Sequence, residues 1–123
     1  MGSVQAAASG GVRELGSLLS ASDLADAYRA AGAPEAWVDS LVAISLCESG
    51  HGSGFADPHA VGDQGASLGH AQLWRGWFAA AGDDVAAYAD PVVNARVAVH
   101  VRAVRGRFGG GGGWTCADIL GIW

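Results

Sequence analysis

The segment Pro34–Gly50, "PEAWVDSLVAISLCESG", decides the fold of this chain, because it combines a long apolar run with a cysteine and an acid at its end. Pro34 suits the first turn of a helix, and the glycines that follow the segment suit its termination. At 3.6 residues per turn, one face of this helix is predicted to be lined by Trp37, Leu41, Ile44 and Glu48. The other acids, Glu35 and Asp39, lie off that line, so the placement is particular to Glu48.

Two interpretations of Glu48 follow from this position. If the last turn of the helix lies in solvent, the acid is exposed. If the apolar face stays buried to its end, the acid is held against apolar neighbours. In the second case burial raises the pKa of the carboxyl, and the partial negative charge at the helix C-terminus acts in the same direction. A carboxylic acid that is still protonated near neutral pH suits protonation of a glycosidic oxygen. The second interpretation suggests a general acid, and the spacing alone leaves both interpretations open.

The composition predicts one domain with a sizeable core. The chain has 123 residues, of which 50% are apolar and 15% charged. Its net charge of -5, with seven Arg and no Lys, gives no reason to expect nucleic acid as a partner. No apolar run is long enough to span a membrane, and the first residues lack the pattern of a secretory signal peptide. We expect residues 1–20 to be a flexible lead-in and residues 21–123 to form the domain.

The neighbours of the central segment are predicted to be one more helix, a long loop and a short hairpin. Residues 23–31 form an apolar stripe preceded by Ser22, a good N-cap. Residues 50–75 are glycine-rich and lack a sustained period, so they are predicted to be loop with one hairpin around residues 66–74. A turn or two of helix follows over residues 75–82. A loop this long inside a compact domain is usually a functional surface.

The second half of the chain is predicted to hold two helices separated by glycines. Asp90 caps a helix over residues 91–108, which opens with proline. Its apolar face is predicted to consist of Val93, Val97, Val101, Val104 and Phe108. Five glycines at 109–113 end this helix, and a short last helix over residues 114–120 is capped by Thr115.

Three fragments of the chain occur in the order that is typical of one enzyme family. They are Glu48-Ser49-Gly50 at the end of the central helix, Ser67-Leu68-Gly69-His70-Ala71-Gln72 in the hairpin, and Asn94-Ala95 in a later helix. From about residue 24 to residue 116, the chain resembles the lysozyme-like domains of bacterial soluble lytic transglycosylases and of phage tail proteins. Two departures are the extra residues 51–56 and the pair His70-Ala71, where the family often has bulky apolar residues.

The resemblance implies a mainly α-helical, lysozyme-like fold of the α+β type, in which the glycine-rich hairpin forms one wall of a substrate groove. It implies that Glu48 is the catalytic acid and base, and that the partner is the peptidoglycan glycan strand, cut at the β-1,4 bond between N-acetylmuramic acid and N-acetylglucosamine. The residues that it places near the glycan are Ser67, Gln72, Tyr88 and Asn94. No cofactor and no metal are implied, and the domain is expected to be a monomer.

Aromatic residues cluster just after the hairpin, at Trp74, Trp77 and Phe78. Aromatic faces stack well on sugars, but a cluster of this kind serves equally well as packing. Trp74 is the candidate for a sugar contact. Three histidines, His51, His59 and His70, match no ligand spacing for a metal ion.

The two cysteines, Cys47 and Cys116, fit either one disulfide or two buried thiols on composition alone. Cys47 lies about 100° from the line of Glu48, on a face of small residues. A cysteine directly before the acid and a Trp-Thr-Cys triplet near the end are similar to the resuscitation-promoting factors of actinobacteria, in which the two cysteines form a disulfide. This resemblance implies a Cys47–Cys116 bond and an extracytoplasmic location, in the cell wall or on a virion.

A second carboxylate for a glycosidase has two candidates, Asp57 and Asp63, both in the loop after Glu48. Both also stand in ordinary turn chemistry, next to a proline or a glycine. Most glycosidases use two carboxylates. The lytic transglycosylases that this chain resembles need one, which protonates the leaving oxygen and then activates the O6 hydroxyl of muramic acid. A hydrolytic muramidase, in which Asp57 or Asp63 positions water, is the alternative chemistry.

Two alternatives of other classes stay open. Cys47 with a histidine would suggest a cysteine peptidase, although no signature of a nucleophilic cysteine surrounds it. A catalytically silent module would only anchor a phage or an exported protein to the cell wall. We expect an enzyme, a peptidoglycan lytic transglycosylase or muramidase of the kind that phages use as endolysins.

Overall fold

In the computed structural model, which describes residues 17–123, two packed helices open the domain. Helix α1 is Ala21–Ala30 and helix α2 is Glu35–Gly50. Helix α2 ends where His51 takes a left-handed conformation, with a φ of 51°. A Cβ on the last residue of α2 would overlap the carbonyl oxygen of Phe55, so only glycine lets the chain fold back at this point.

The start of α1 corrects two predictions. Ser20, not Ser22, is the N-cap: its hydroxyl accepts from the Asp23 N–H, and the Asp23 carboxylate accepts from the Ser20 N–H. This reciprocal capping box satisfies two donors, where a cap at Ser22 would satisfy one. The backbones of Leu19 and Ala56 bond each other at 2.8 Å in both directions. Residues 17–20 therefore belong to the fold rather than to a flexible lead-in, and residues 1–16 lie outside the described residues.

The loop after α2 contains a small antiparallel sheet, which confirms the predicted hairpin and extends it. Strands β1 (Val61–Gly62), β2 (Ser67–Leu68) and β3 (Leu73–Trp74) lie in the order β1-β2-β3. The hairpin pairs Ser67 with Trp74 and Leu68 with Leu73. The extra residues before the sheet return the chain to α1 and α2, because Ala56 pairs with the segment before α1 and the Asp57 N–H donates to the Ser49 hydroxyl.

Three more α-helices follow in the described chain: α3 (Gly76–Ala80), α4 (Pro91–Arg105) and α5 (Thr115–Leu120). Short 3-10 helices lie at Asp63–Gly65 and Val85–Ala87. Asp90 caps α4 as predicted, with its carboxylate accepting from the Val92 and Val93 N–H groups. Helix α4 ends at Arg105 and not at 108, because Gly106 takes a left-handed conformation. The N-cap of α5 is Trp114, and Thr115 is the first helical residue, so the predicted Thr115 cap is wrong.

The core forms where α1, α2 and α4 meet the sheet. Its largest fully buried apolar side chains are Tyr28, Phe78, Leu24, Leu41, Ile44, Val38 and Val97. Val101 and Phe108 are also buried, but Val104 is 60% exposed in the last turn of α4. The packed face of α4 therefore ends at Val101, and Phe108 enters the core from the following loop. Within residues 17–123 no helix is both long and apolar enough to cross a membrane.

A buried chain of hydrogen bonds joins four elements through the core. The Tyr28 and Ser45 hydroxyls lie 2.7 Å apart, Ser45 Oγ lies 3.0 Å from His70 Nδ1, and His70 Nε2 lies 3.0 Å from the Pro91 carbonyl oxygen. Because a carbonyl only accepts, His70 carries its proton on Nε2, and Nδ1 accepts from Ser45. Burial lowers the pKa of His70 to about 4, so the ring is neutral. His70 is thus a core residue, and an apolar side chain in its place would leave the Ser45 hydroxyl proton without the acceptor that His70 provides.

Candidate active site

An open groove lies beside the C-terminal end of α2. The sheet contributes one part of its lining, through Asp63, Ser67, Gln72, Leu73 and Trp74. The segment before and into α5 contributes another part, through Gly112, Gly113, Trp114 and Thr115. Glu48, Trp77 and Val101 complete it. The groove thus brings together Glu48, Asp63, Ser67, Gln72 and Trp74 among the residues selected from the sequence.

Glu48 is half-buried in this groove, on the same face of α2 as the fully buried Leu41 and Ile44. Its Oε2 accepts a hydrogen bond of 3.0 Å from the backbone N–H of Cys116. Burial raises the pKa of the Glu48 carboxyl, and the negative charge of Asp63 adds to the rise. The Cys116 N–H and the nearby His51 act in the opposite direction but do not cancel it. The acid therefore continues the buried line instead of fraying into solvent.

The predicted disulfide between Cys47 and Cys116 is present, with the two Cα atoms 6.0 Å apart. It leaves no free thiol in the described chain, so a cysteine nucleophile is not available there. The bond joins α2 to α5 and closes a span of 69 residues. By the chain-entropy estimate, closing such a span stabilises the fold by roughly 4 kcal/mol.

The two candidate second carboxylates are separated by the structure. Asp63 lines the groove, has a φ of 50°, and accepts a hydrogen bond from the Ser67 hydroxyl. Asp57 does not line the groove; its Oδ1 accepts from the His59 N–H at 2.9 Å, which is the turn chemistry common for aspartate. Among the two, Asp63 alone is a candidate for chemistry beside Glu48.

Gln72 lines the groove from the turn of the hairpin, where it has a φ of 50°. Its amide Nε2 donates to the carbonyl oxygens of Ala60 and Gly69, at 3.1 and 3.0 Å. A Cβ on Gly62 would displace the end of the Gln72 side chain. Gln72 therefore fixes the shape of the sheet as well as lining the groove.

The aromatic cluster after the hairpin divides into core and groove. Phe78 is fully buried, whereas Trp74 is 60% exposed and lies in the groove. Trp77 also lines the groove and meets His100 edge to face, with the ring centroids 6.1 Å apart. A flat exposed ring such as Trp74 offers an apolar face to a ligand that enters the groove.

Asn94 and Tyr88 do not line the groove, in contrast to the predictions from the sequence. Asn94 is fully buried: its Nδ2 donates to the Leu68 and Tyr88 carbonyls, and its Oδ1 accepts from the Ala71 N–H. An amide with three backbone partners in the core holds the hairpin on α4 and is out of reach of a ligand. The predicted roles of Asn94 and Tyr88 as ligand contacts are therefore not supported.

The segment 112–115 is a part of the lining that the sequence predicted only as a break and a short helix. The Arg105 guanidinium shapes it by donating to the carbonyls of Arg107, Phe108, Gly109 and Gly111 at 2.9–3.2 Å. Trp114 anchors its far end, because the indole N–H donates to the Ala71 carbonyl at 2.9 Å. The available signal was an arginine at a helix end followed by glycines, whose backbone carbonyls are open to a donor.

No family model, curated protein or solved structure matches the chain. The resemblance to lysozyme-like domains therefore remains a prediction, and the groove is interpreted from its own residues. Within residues 17–123, no three His, Cys, Asp or Glu side chains form a cluster suited to a metal ion. The groove offers one half-buried acid, a second carboxylate on the segment between β1 and β2, and an exposed indole.

Proposed function

We propose that this protein is a glycosidase that cuts the glycan strands of peptidoglycan, with Glu48 as its acid and base. The observation that carries the proposal is the half-buried position of Glu48 in an open groove, where burial raises the pKa of the carboxyl. Such an acid keeps its proton at a higher pH than an exposed glutamate does, as protonation of a leaving oxygen requires. The mainly α-helical architecture, with a small sheet beside the acid, is compatible with the lysozyme-like fold that we propose.

The proposed chemistry is that of a lytic transglycosylase. Glu48 donates its proton to the glycosidic oxygen as the bond from C1 of N-acetylmuramic acid to that oxygen breaks. The resulting Glu48 carboxylate then takes the proton of the muramic acid O6 hydroxyl, and O6 closes on C1. The product is a 1,6-anhydro ring, no water is consumed, and the acid regains its proton. One carboxylate suffices for this cycle.

The lining of the groove supports a sugar ligand. Trp74 presents an exposed aromatic face, and neutral polyols bind to proteins by stacking and hydrogen bonding. Ser67 and Gln72 bring polar side chains to the same part of the lining. The Cys47–Cys116 disulfide is compatible with work outside the cytoplasm, where disulfides persist. We propose that the enzyme acts in the cell wall, as a virion-associated or released lysin.

A hydrolytic muramidase is the second candidate, because Asp63 shares the groove with Glu48 and raises the pKa of that acid. In this alternative, Asp63 orients a water molecule that attacks C1 after Glu48 has protonated the leaving oxygen. The hydrogen bond from Ser67 fixes the Asp63 carboxylate on the sheet. The product would then be a reducing sugar.

One digestion separates these possibilities. Purified peptidoglycan is incubated with the wild type, with Glu48→Gln and with Asp63→Asn, and the fragment ends are identified by mass spectrometry. We expect anhydro ends from the wild type and from Asp63→Asn, and no fragments from Glu48→Gln. Reducing ends that disappear in Asp63→Asn would establish the muramidase. Binding to the wall without any fragments would leave only a silent anchoring module.

A further inference from the structure

The carboxyl group of Glu48 has a defined partner on one of its two oxygens. Oε2 accepts from the Cys116 N–H, and within residues 17–123 no donor is bound to Oε1. Cys116 is the second residue of α5, where a backbone N–H has no partner within its own helix. The carboxyl of α2 therefore takes the place of the missing helical acceptor.

We propose that Cys116 is a positioning residue for Glu48, and that its backbone N–H, held in place by the disulfide to Cys47, fixes the acidic proton on Oε1. The chemical reason is that an N–H donor requires an acceptor lone pair on Oε2 in both protonation states of the acid. The carbonyl-type oxygen of a neutral carboxylic acid is the better acceptor, so the contact favours the proton on the oxygen that does not face Cys116. Oε1 is left to meet the ligand.

The disulfide is suited to holding this contact because it lies directly beside it. Cys47 precedes Glu48 on α2, and its bonded partner carries the N–H that reaches the acid. Helix α5 has six residues, too few for an isolated helix to be stable in water. The last torsion of a glutamate side chain is broad, so without a fixed donor the carboxyl rotates freely. The tether removes that freedom.

Other groups act on Glu48 by charge and do not select one of its oxygens. Asp63, on the loop before β2, disfavours the ionised form, and His51, at the end of α2, favours it. Neither forms a hydrogen bond with the carboxyl in the described chain. The assignment of Oε1 as the proton-bearing oxygen therefore rests on the single contact with Cys116.

The contact is tested first in the wild type by nuclear magnetic resonance, without any substrate. The side-chain carboxyl carbon of Glu48 and the backbone amide of Cys116 are followed over a pH series. We expect the Cys116 amide proton to shift with the same midpoint as the carboxyl carbon, and to lose this shift in Glu48→Gln. A Cys116 amide that does not follow the Glu48 titration would overturn the proposal.

The role of the tether is tested in the double variant Cys47→Ala/Cys116→Ala. We expect the amide of residue 116 to follow Glu48 with a much smaller amplitude, and turnover of soluble glycan fragments to fall about tenfold with KM little changed. Retention of both the amplitude and the turnover would overturn the role of the disulfide. The turnover arm rests on the proposed function, whereas the resonance arm does not. A wild type that titrates as expected but cuts no glycan would refute only the function.

A control variant in the core helps to separate positioning from a loss of stability. Tyr28→Phe removes one buried hydroxyl, which costs about 1 kcal/mol, and leaves Glu48 and Cys116 untouched. The unfolding free energies of the control and the double variant are measured by denaturant titration. We expect the control to keep the coupled titration and the turnover, measured at temperatures where each protein is folded. A control that lost both to the same extent as the double variant would contradict the positioning role.

Discussion

Ser45 and Glu48 lie about one turn apart on α2 but differ in how far they are buried and hydrogen-bonded. Ser45 is sealed in the core, bonded to the Tyr28 hydroxyl and to His70 Nδ1. Glu48 is half-buried and lines the groove, and one of its oxygens accepts from the Cys116 N–H. The first arrangement leaves nothing for a ligand, and the second leaves one oxygen. Complete pairing makes a polar residue structural, whereas incomplete pairing next to a groove makes it available for chemistry.

The two regions also shift pKa values for the same reason and with different consequences. Burial disfavours the charged form in both, so it lowers the pKa of His70 to about 4 and raises the pKa of Glu48. His70 becomes a permanently neutral member of the core at physiological pH. Glu48 keeps its proton at a higher pH than an exposed glutamate does, which suits the acid role that we propose. Burial sets the direction of each pKa shift, whereas the role of each side chain depends on whether it is exposed to the groove.

The largest effect on the cleavage rate is expected from a change at Glu48. Glu48→Gln keeps the shape of the side chain and its hydrogen bond but loses the acidic proton, so the cleavage rate should fall by about 10³-fold. Glu35→Gln is the matched control, because Glu35 is exposed and bonds only Arg29 in the described chain. The rates are measured on soluble glycan fragments. Equal rates for the two variants would contradict the account.

The next largest effect is expected in the pH dependence of stability, and it comes from the buried His70. The folded-state pKa of His70 is about 4, below the ordinary value of 6.5, so the unfolded chain binds this proton first as the pH falls. Stability from His70 is therefore complete above pH 6.5 and is lost toward pH 4, to a total of about 3 kcal/mol. Denaturant titrations at several pH values measure it. His70→Gln should flatten this dependence, and an unchanged slope would refute it.

Glu48 should contribute to stability with the opposite sign. Its pKa is raised in the fold, so the folded chain binds this proton more tightly than the unfolded chain does. That contribution is present below pH 4.5 and is lost as the pH rises through the folded-state pKa. Glu48→Gln is therefore expected to unfold at a higher denaturant concentration than the wild type at pH 7. A lower midpoint would place Glu48 among the structural residues instead.

A smaller effect is expected at the exposed ring of the groove. Trp74→Ala removes an aromatic face without opening the core, so KM for glycan fragments should rise about fivefold while kcat changes little. Val61→Ala is the matched control, because Val61 is similarly exposed on the same sheet but does not line the groove. Steady-state kinetics on both variants decide the point. The same KM in both variants would exclude stacking on Trp74.

The smallest effect is expected from Asp63, if one carboxylate suffices. Asp63→Asn removes a negative charge that raises the pKa of Glu48, so the basic limb of the pH–rate profile should move to lower pH. The maximal rate should stay within about threefold of the wild type, because a nearby charge alters the acid without taking part in the chemistry. A rate as low as that of Glu48→Gln would instead identify Asp63 as the second catalytic carboxylate.

Local patterns were enough to predict the central helix, the helix face on which Glu48 lies and the cap of α4, but they left open whether Glu48 is buried. The face shared by Leu41, Ile44 and Glu48 needs only the helical repeat, and Asp90 followed by proline needs only local chemistry. Val104 shows the limit, because the same repeat placed it on the predicted apolar face, whereas it is 60% exposed in the last turn of α4. Periodicity tells which residues share a face and not how far a neighbouring element extends.

Long-range pairing was beyond local patterns. Asn94 looked like a ligand contact, but its three partners come from two loops that only the tertiary fold brings together. The segment 112–115 likewise depends on a long-range arrangement. The Arg105 guanidinium donates to the carbonyls of Phe108, Gly109 and Gly111, which directly precede the segment. The disulfide was implied by resemblance, and the hydrogen bond from Cys116 to Glu48 beside it was not foreseen. These contacts have no periodic signal.

We propose that Glu48 acts as an acid because the fold raises the pKa of its carboxyl. The direct test is to measure the pKa of its carboxyl by nuclear magnetic resonance and the pH dependence of kcat/KM for glycan cleavage on the same preparation. We predict that both give one midpoint, above the ordinary value of 4.5, with cleavage lost as the pH rises through it. A carboxyl that titrates at or below 4.5, or a cleavage profile that ignores its midpoint, would contradict the account.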